Sequence, residues 1–508
     1  MLWAFVALGV ILVAVIVFDL LQTHHAILRN FPIIGHFRYW LEAIGPELRQ
    51  YIVTDNDSER PFSRDQRRWV YASSKKENNY FGFGTDNNIE GAGDYLIIKQ
   101  ATFPVRARRD RVGCPIPCAK ILGGPRGRKR AFRPASIVNI SGMSFGSLSS
   151  AAVKALNGGA KLAGCLQNTG EGSISPYHNQ GGELIWQIGT GYFGCRTPDG
   201  QFDLAKFKDH VAASHVRAIE IKLSQGAKPG LGGMLPAAKI TSEISAIRGI
   251  RMGEDCLSPN SHSAFSDVDS MLDFVEMLAE ETGLPIGLKS AIGDTHFWVE
   301  LAEHMRSNRR GVDFINIDGG EGGTGAAPLV FSDHVALPFR LAFTRVYSIF
   351  AERGVHERVV WGGSGRLGIP ERAMLALALG CDWIHVAREA MLAIGCIQAQ
   401  RCHTGRCPTG VATQNKWLIR GLDPASKSVR AANYIMTLRK EILALTRAAG
   451  QEHPALVMAD QIEFLDSGIK GTTAREMFQY ERGWGRPCDG DCDQVVALMK
   501  THDPSVAS

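Results

Sequence analysis

The sequence predicts an α/β chain built around a (β/α)8 barrel of the TIM type, with an N-terminal extension and a single N-terminal transmembrane helix. Three observations lead there. Eight short apolar, β-branched runs alternate with Ala- and Leu-rich helical stretches from about residue 136 onward. Five Gly-rich segments follow five of those runs, and a barrel collects them all on the face that carries active sites. An uninterrupted apolar run opens the chain. A doubly wound open sheet would give a similar alternation, and the placement of the Gly-rich loops tips the choice to the barrel.

The opening run, MLWAFVALGVILVAVIVF (1–18), is extended past Asp19 by Leu20 and Leu21 and is long enough to cross a bilayer as a helix. It has no basic n-region and no small-x-small site, unlike a cleaved signal peptide. Arg29, Arg38 and Arg49 follow it. The positive-inside rule then predicts a single-pass protein of the cell membrane with its catalytic body cytoplasmic. Residues 23–130 read as an irregular, polar extension packing on the barrel, with basic clusters RRDR (108–111) and RGRKR (126–130). Such clusters are expected to be solvated faces or, beside an anchor, contacts to anionic lipid. The barrel domain is expected over 131–450 and a C-terminal extension over 451–508, leaving 1–22 as the anchor.

Composition bounds the rest. Apolar residues make up 45% and charged residues 21% of 508, which leaves ample material for a core. Lys and Arg number 56 against 51 acids, a formal charge of +5, too mild to suggest a nucleic-acid partner. The 55 glycines imply many tight loops where backbone approaches a ligand. The 11 cysteines, an odd count, fit a reducing compartment and metal or cluster ligation better than a disulfide framework. Cys114/Cys118 and Cys488/Cys492 are C-x3-C pairs without flanking His or Cys at metal-site spacing and read as reduced thiols.

The predicted strands are IVNIS (137–141), CLQNT (165–169), IWQIG (185–189), IEIKLS (219–224), IGLKS (286–290), FINID (314–318), VVWGG (359–363) and WIHVA (383–387). Helices are predicted over 149–163, 268–282 and 370–380, among others. SGMSFGS follows the first strand, NTGEG the second, SQGAKPG the fourth, DGGEGGTGA the sixth and GGSGRLG the seventh. Loops late in a barrel bind phosphate through backbone N–H groups, so Asp318, Gly319, Gly320, Gly362 and Gly363 are candidate contacts to a phosphorylated cofactor. Lys222 should point into the barrel mouth, where a cation can stabilise a reduced flavin ring; Met143 and Ser144 would face the same ring. Gln225, Lys228 and Arg248 suit a substrate with carboxylates, and Glu171 is the acid placed to handle a proton or orient ammonia.

The stretch CIQAQRCHTGRCPTG (396–410) spaces its thiols C-x5-C-x4-C just beyond the eighth strand and its helix. Thiolates select zinc or iron–sulfur clusters, and three on one loop suit three irons. A four-iron cluster short of one ligand, a zinc site completed by His403, and inert thiols are the alternatives at this point.

Together SGMSFGSLS, NTGEG, IEIKLSQGAKPG, DGGEGGTGA and CIQAQRCHTGRCPTGVATQ resemble the synthase domain of glutamate synthase, in the stand-alone FMN-binding form, over about residues 80–450. The resemblance implies FMN beside a [3Fe-4S] cluster held by Cys396, Cys402 and Cys407. It also implies reductive amination of 2-oxoglutarate through 2-iminoglutarate to L-glutamate, with Gln225, Lys228 and Arg248 on the 2-oxoglutarate and Glu171 as the motif's acid. No nicotinamide fingerprint is visible, so ferredoxin or a membrane-linked carrier is the expected donor, and no amidotransferase domain is expected to hydrolyse glutamine within the chain. Two departures stand out. The family's KPGEGGQLP reads KPGLGGMLP, with Leu231 and Met234 replacing a glutamate and a glutamine, and SPPPHHD reads SPNSHSAF (258–265). Both bear on which oxo or amino acid is the substrate.

Overall fold

The computed structural model describes residues 2–106, 115–466 and 470–501. All eight predicted strands form, and all join one closed, parallel barrel. They are β1 (Val138–Ile140), β2 (Gln167–Asn168), β3 (Leu184–Ile188), β4 (Val216–Lys222), β5 (Ile286–Ser290), β6 (Phe314–Asp318), β7 (Val360–Ser364) and β8 (Trp383–Val386). β8 closes the ring by pairing Ile384 with Val138 of β1. Each strand is buried on both faces, as parallel strands wrapped by helices must be.

The predicted helices form with the ends their sequences encode. Ser149 caps Ser150–Ala163 by accepting from the Ala152 amide, and Gly164 ends it in the left-handed region at φ 61°. Asp267 caps Val268–Thr282, and Pro370–Ala378 starts with its proline at N1.

The barrel interior is not purely apolar. Glu220 of β4 accepts from Asn168 at 2.7 Å, Gln187 at 2.5 Å and Asn316 at 2.5 Å, and Asn316 in turn accepts from the Trp383 indole at 3.0 Å. This satisfied polar layer ties five strands together beneath the mouth, where an unpaired group would be costly.

Between β4 and β5 the chain leaves the barrel for an excursion. It contains the two-residue strands Met234–Leu235 and Cys256–Leu257, paired antiparallel, and the helix Ser242–Arg248. This excursion carries Lys228, Met234 and Arg248 to the mouth.

The chain separates into two compact units, Met1–Arg67 and Arg68–Ser508. In the first, α1 (Leu2–Leu21) is apolar except for Asp19, long enough to cross a membrane, and almost wholly exposed. Asp19 near its end accepts from the Ile33 amide at 2.9 Å and meets His36 Nε2 at 2.9 Å, which fixes the start of α2 (Ile34–Leu48).

The extension expected to be irregular over 23–130 is more ordered than its polarity suggested. It includes α2, further helix over 68–75, and the strand Tyr95–Ile98, which pairs antiparallel with Ile462–Asp466 of the C-terminal segment. Tertiary pairing rather than local apolar periodicity creates these elements. RRDR and Cys114 lie outside the described residues. RGRKR is not simply a solvated face: Arg128 forks onto Glu276 and Asp313, and Arg126 is bonded to the Val312 carbonyl. Buried carboxylates near the start of β6 draw these two guanidinium groups in.

Candidate functional site

Strand ends and the excursion build one cavity at the C-terminal mouth of the barrel. Its wall includes Met143, Ser144, Gly170, Glu171, Lys222, Gln225, Lys228, Gly233, Met234, Arg248, Ser258, Gly323, Thr324, Arg388 and Cys402. Every residue assigned from sequence to substrate or proton handling is present on it.

Lys222, the last residue of β4, donates to Glu171 Oε1 at 2.8 Å and to Gln225 Oε1 at 2.7 Å. Gln225 passes its amide on to Thr324 Oγ1 at 3.3 Å, joining the β4 and β6 loops. Burial pushes the Glu171 carboxyl up, but the charges of Lys222, Lys228 and Arg248 and the Lys222 hydrogen bond outweigh it and hold it below its usual range. Glu171 is therefore an ionised base and not an acid.

Lys228 and Arg248 are each 4% exposed. Lys228 Nζ donates to the Ala326 carbonyl at 3.2 Å, and Arg248 Nη2 donates to Ser144 Oγ at 3.1 Å and to the Phe145 carbonyl at 2.9 Å. Among the described residues neither has a carboxylate within ion-pair distance, and Arg248 Nε has no partner. Burial, with the nearby Lys222 charge, lowers the Lys228 ammonium to about 8, Glu171 offsetting part of the fall. Lys222, Lys228 and Arg248 outnumber the ionised Glu171 on this wall, an arrangement that suits an anionic molecule.

None of the five predicted phosphate contacts lines this cavity. Gly323, Thr324 and Gly325 of the β6 loop line the cavity, together with Arg388 beyond β8. Asp318, Gly319, Gly320, Gly362 and Gly363 do not. Asp318 is satisfied within the protein by the Gly226 amide at 2.9 Å, Ser364 Oγ at 2.6 Å and Lys289 at 3.5 Å. A Cβ on Gly362 would sit 1.6 Å from Asn316 Oδ1, and one on Gly320 would sit 2.7 Å from the Ala336 carbonyl. These glycines permit close packing of loops and strands.

The cysteine loop lies against the same cavity through Cys402. Gln398 and Gln400 both adopt left-handed backbone, at φ 59° and 54°, uncommon for non-glycine residues and a mark of a constrained loop. The Cys396 sulfur receives the Gln398 amide at 3.4 Å. Burial pushes the Cys407 thiol up, but the Ala412, Thr409 and Val411 amides and the Thr409 hydroxyl prevail and lower it. Amides aimed at sulfur suit thiolate ligands.

Among the described residues, the group whose ligand atoms all lie within 4.8 Å of one another is Glu357, Cys488 and Asp491, at the other end of the barrel. Cys396, Cys402 and Cys407 are not part of that group. His403 is exposed. All described cysteines are free, including Cys118, Cys488 and Cys492.

Sequence reasoning missed His262 and Tyr192. His262 meets the Lys222 carbonyl at 3.0 Å and the Tyr192 hydroxyl at 3.1 Å, steadying the end of β4 from behind. It also missed Lys289, buried at the end of β5 beside Asp318. The lysine is visible in IGLKS, at the strand position matching Lys222 in the barrel register. The signal for His262 was its histidine in SPNSHSAF, shared with SPPPHHD, to which no role had been attached.

A family model described as a conserved region in glutamate synthase matches residues 126–452. The glutamate synthase large subunit-like protein YerD of Bacillus subtilis (strain 168) is 36% identical, covering 88% of this chain and 92% of that one. The archaeal glutamate synthase [NADPH] of Methanocaldococcus jannaschii is 35% identical over 62% of this chain and 59% of its own. The ferredoxin-dependent glutamate synthase of Cyanidium caldarium is 31% identical, and this chain spans 20% of its length.

Proposed function

Because the chain belongs to the glutamate synthase family and is an oxidoreductase of the class acting on CH–NH2 donors, we propose that it reductively aminates 2-oxoglutarate, through 2-iminoglutarate, to L-glutamate. The observation that carries this reading is the excess of buried cations, Lys222, Lys228 and Arg248, over the ionised Glu171 at one cavity. A dicarboxylate supplies the two negative charges that this wall lacks.

The residues fit FMN and a [3Fe-4S] cluster as resident groups. Lys222 and Arg388 offer cations, Met143 an apolar side chain, and Gly170, Gly323 and Gly325 leave room on the wall for a flat ring and a phosphate. Cys396, Cys402 and Cys407 would hold the cluster. When bound, FMN supplies hydride chemistry and the cluster one-electron transfer from ferredoxin or a membrane-linked carrier.

The chain's own groups do the rest. Arg248 and Lys228 bind and orient the carboxylates. Glu171 takes a proton from ammonium or from the carbinolamine as ammonia adds to the keto carbon. Lys222 and Gln225 hold Glu171 and the β6 loop in place. We also assign α1 as a single-pass anchor in the cell membrane, with the barrel cytoplasmic by the positive-inside rule.

The test is steady-state turnover of 2-oxoglutarate plus ammonia by the loaded protein, with reduced ferredoxin or dithionite-reduced dye as donor. Glutamate formation supports the reading, and its absence with FMN and iron fully loaded overturns it. A second reading rests on Met234, which lines the cavity where a family glutamine is expected. It makes the chain a membrane-linked dehydrogenase of another amino or oxo acid. Bleaching of the flavin by such an amino acid, added without oxygen, would favour it.

A further inference from the structure

Lys239 is 2% exposed and closes the single helical turn Ala237–Lys239 in the β4–β5 excursion. Its Nζ donates to the Ser147 carbonyl at 3.1 Å. The carbonyls on either side, of Gly146 and Leu148, accept from the Gln414 amide at 3.1 and 2.9 Å, and the Ser149 amide donates to the Val411 carbonyl at 2.9 Å. One short stretch of backbone, 146–149, is thus gripped by Lys239 from the excursion and by the tail of the cysteine loop. Among the described residues no carboxylate lies within ion-pair distance of Lys239. Burial lowers the Lys239 ammonium, and the Cys402 and Cys407 sulfurs offset part of that fall where they are ionised.

A buried cation without an anion is costly, and lysine pays the full cost because its ammonium is strongly hydrated in water. Three thiolates at one loop, holding a cluster, provide the missing negative charge. We infer that Lys239 is the counter-charge of the thiolate-held cluster and raises its reduction potential by stabilising the more negative, reduced form. The inference rests on the cluster assignment proposed above. The event concerned is the gain of one electron from an external donor such as dithionite, with no bond made or broken. Lys239 is a positioning residue in this sense, acting through charge on the electron's port of entry.

The experiment uses the purified full chain, with iron and sulfide content measured first and the cluster then titrated by potential and followed by electron paramagnetic resonance. Wild type is compared with Lys239→Met and Lys239→Arg. At the wild-type midpoint, Lys239→Met is expected to show a reduced-to-oxidised ratio about tenfold lower, a shift of about 59 mV for one electron. Lys239→Arg should stay within about twofold of wild type, because it keeps the charge. A fully loaded Lys239→Met with an unchanged midpoint overturns the inference, leaving Lys239 as a pin for the Ser147 carbonyl. Iron lost in Lys239→Met but kept in Lys239→Arg supports it, and iron lost in both overturns it. Wild type carrying neither iron nor sulfide overturns the cluster assignment itself, before any variant is read.

Discussion

Glycines at the base of the barrel mouth and glycines on the cavity rim answer to different neighbours. At the base, Cβ atoms would meet packed structure: 1.9 Å from the Gly319 carbonyl at Gly226, and 1.6 Å from the interior Asn316 amide at Gly362 of β7. On the rim, a Cβ on Gly233 would meet the Glu171 carboxylate at 2.4 Å, the end of a functional side chain held by Lys222. A Gly-rich loop after a barrel strand therefore reports two separate needs, packing of backbone on backbone and room around reacting groups. Composition alone does not separate them.

Gly362→Ala breaks the comparison hardest. Its new methyl has no room beside Asn316 and the Trp383 indole, so the barrel layer must deform. We expect a loss of about 3 kcal/mol or more in folding stability, read from urea unfolding. Any protein that still folds should keep a near-normal KM for the oxo acid. Gly233→Ala should do the reverse. Displacing Glu171 from Lys222 should lower kcat roughly 10²-fold while costing less stability than Gly362→Ala, because the obstructing atoms end a side chain that can rotate into the cavity. Equal loss of stability in both variants would erase the distinction between base and rim.

The smallest effect sharpens the rim's electrostatics. Burial and the Lys222 charge set the free-enzyme Lys228 near 8, below its ordinary value. Lys228 is thus charged, and able to bind a carboxylate, below that pH, and loses its proton as pH rises through it. KM for the oxo acid should be flat below about pH 8 and then rise by up to about tenfold per unit. Lys228→Arg, permanently charged, should remove the rise. A flat profile in wild type would show that Lys228 does not bind the substrate as a cation.

Much of this was legible in the chain. The eight strands stood out as β-branched runs, and their polar members were in plain view: Gln167 and Asn168, Gln187, Glu220 and Asn316 interrupt otherwise apolar stretches. Such interruptions in fully buried strands point to an internal polar network, which is what forms around Glu220. The site residues Glu171, Lys222, Gln225 and Lys228 were legible because strand ends of a barrel converge by geometry. Arg248 was assigned by its charge, beside Gln225 and Lys228, but that it reaches the mouth on the excursion helix capped by Thr241 and Gly249 was not visible in the chain. His262, from the same excursion, stood in the SPNSHSAF stretch without a role.

The sequence by itself determined the barrel, the order of its strands and the spacing of its three loop thiols, because period, β-branching and spacing are local properties. Tertiary structure decided which glycines face a ligand and which face backbone. It decided that Tyr71 and the helix around it support the cysteine loop through a 2.9 Å bond to the Cys396 carbonyl, and that Lys239 comes to lie beside that loop's docking strip. Those contacts join residues far apart in the chain. Each partner looks ordinary alone, and only closure of the barrel brings their charges and donors together.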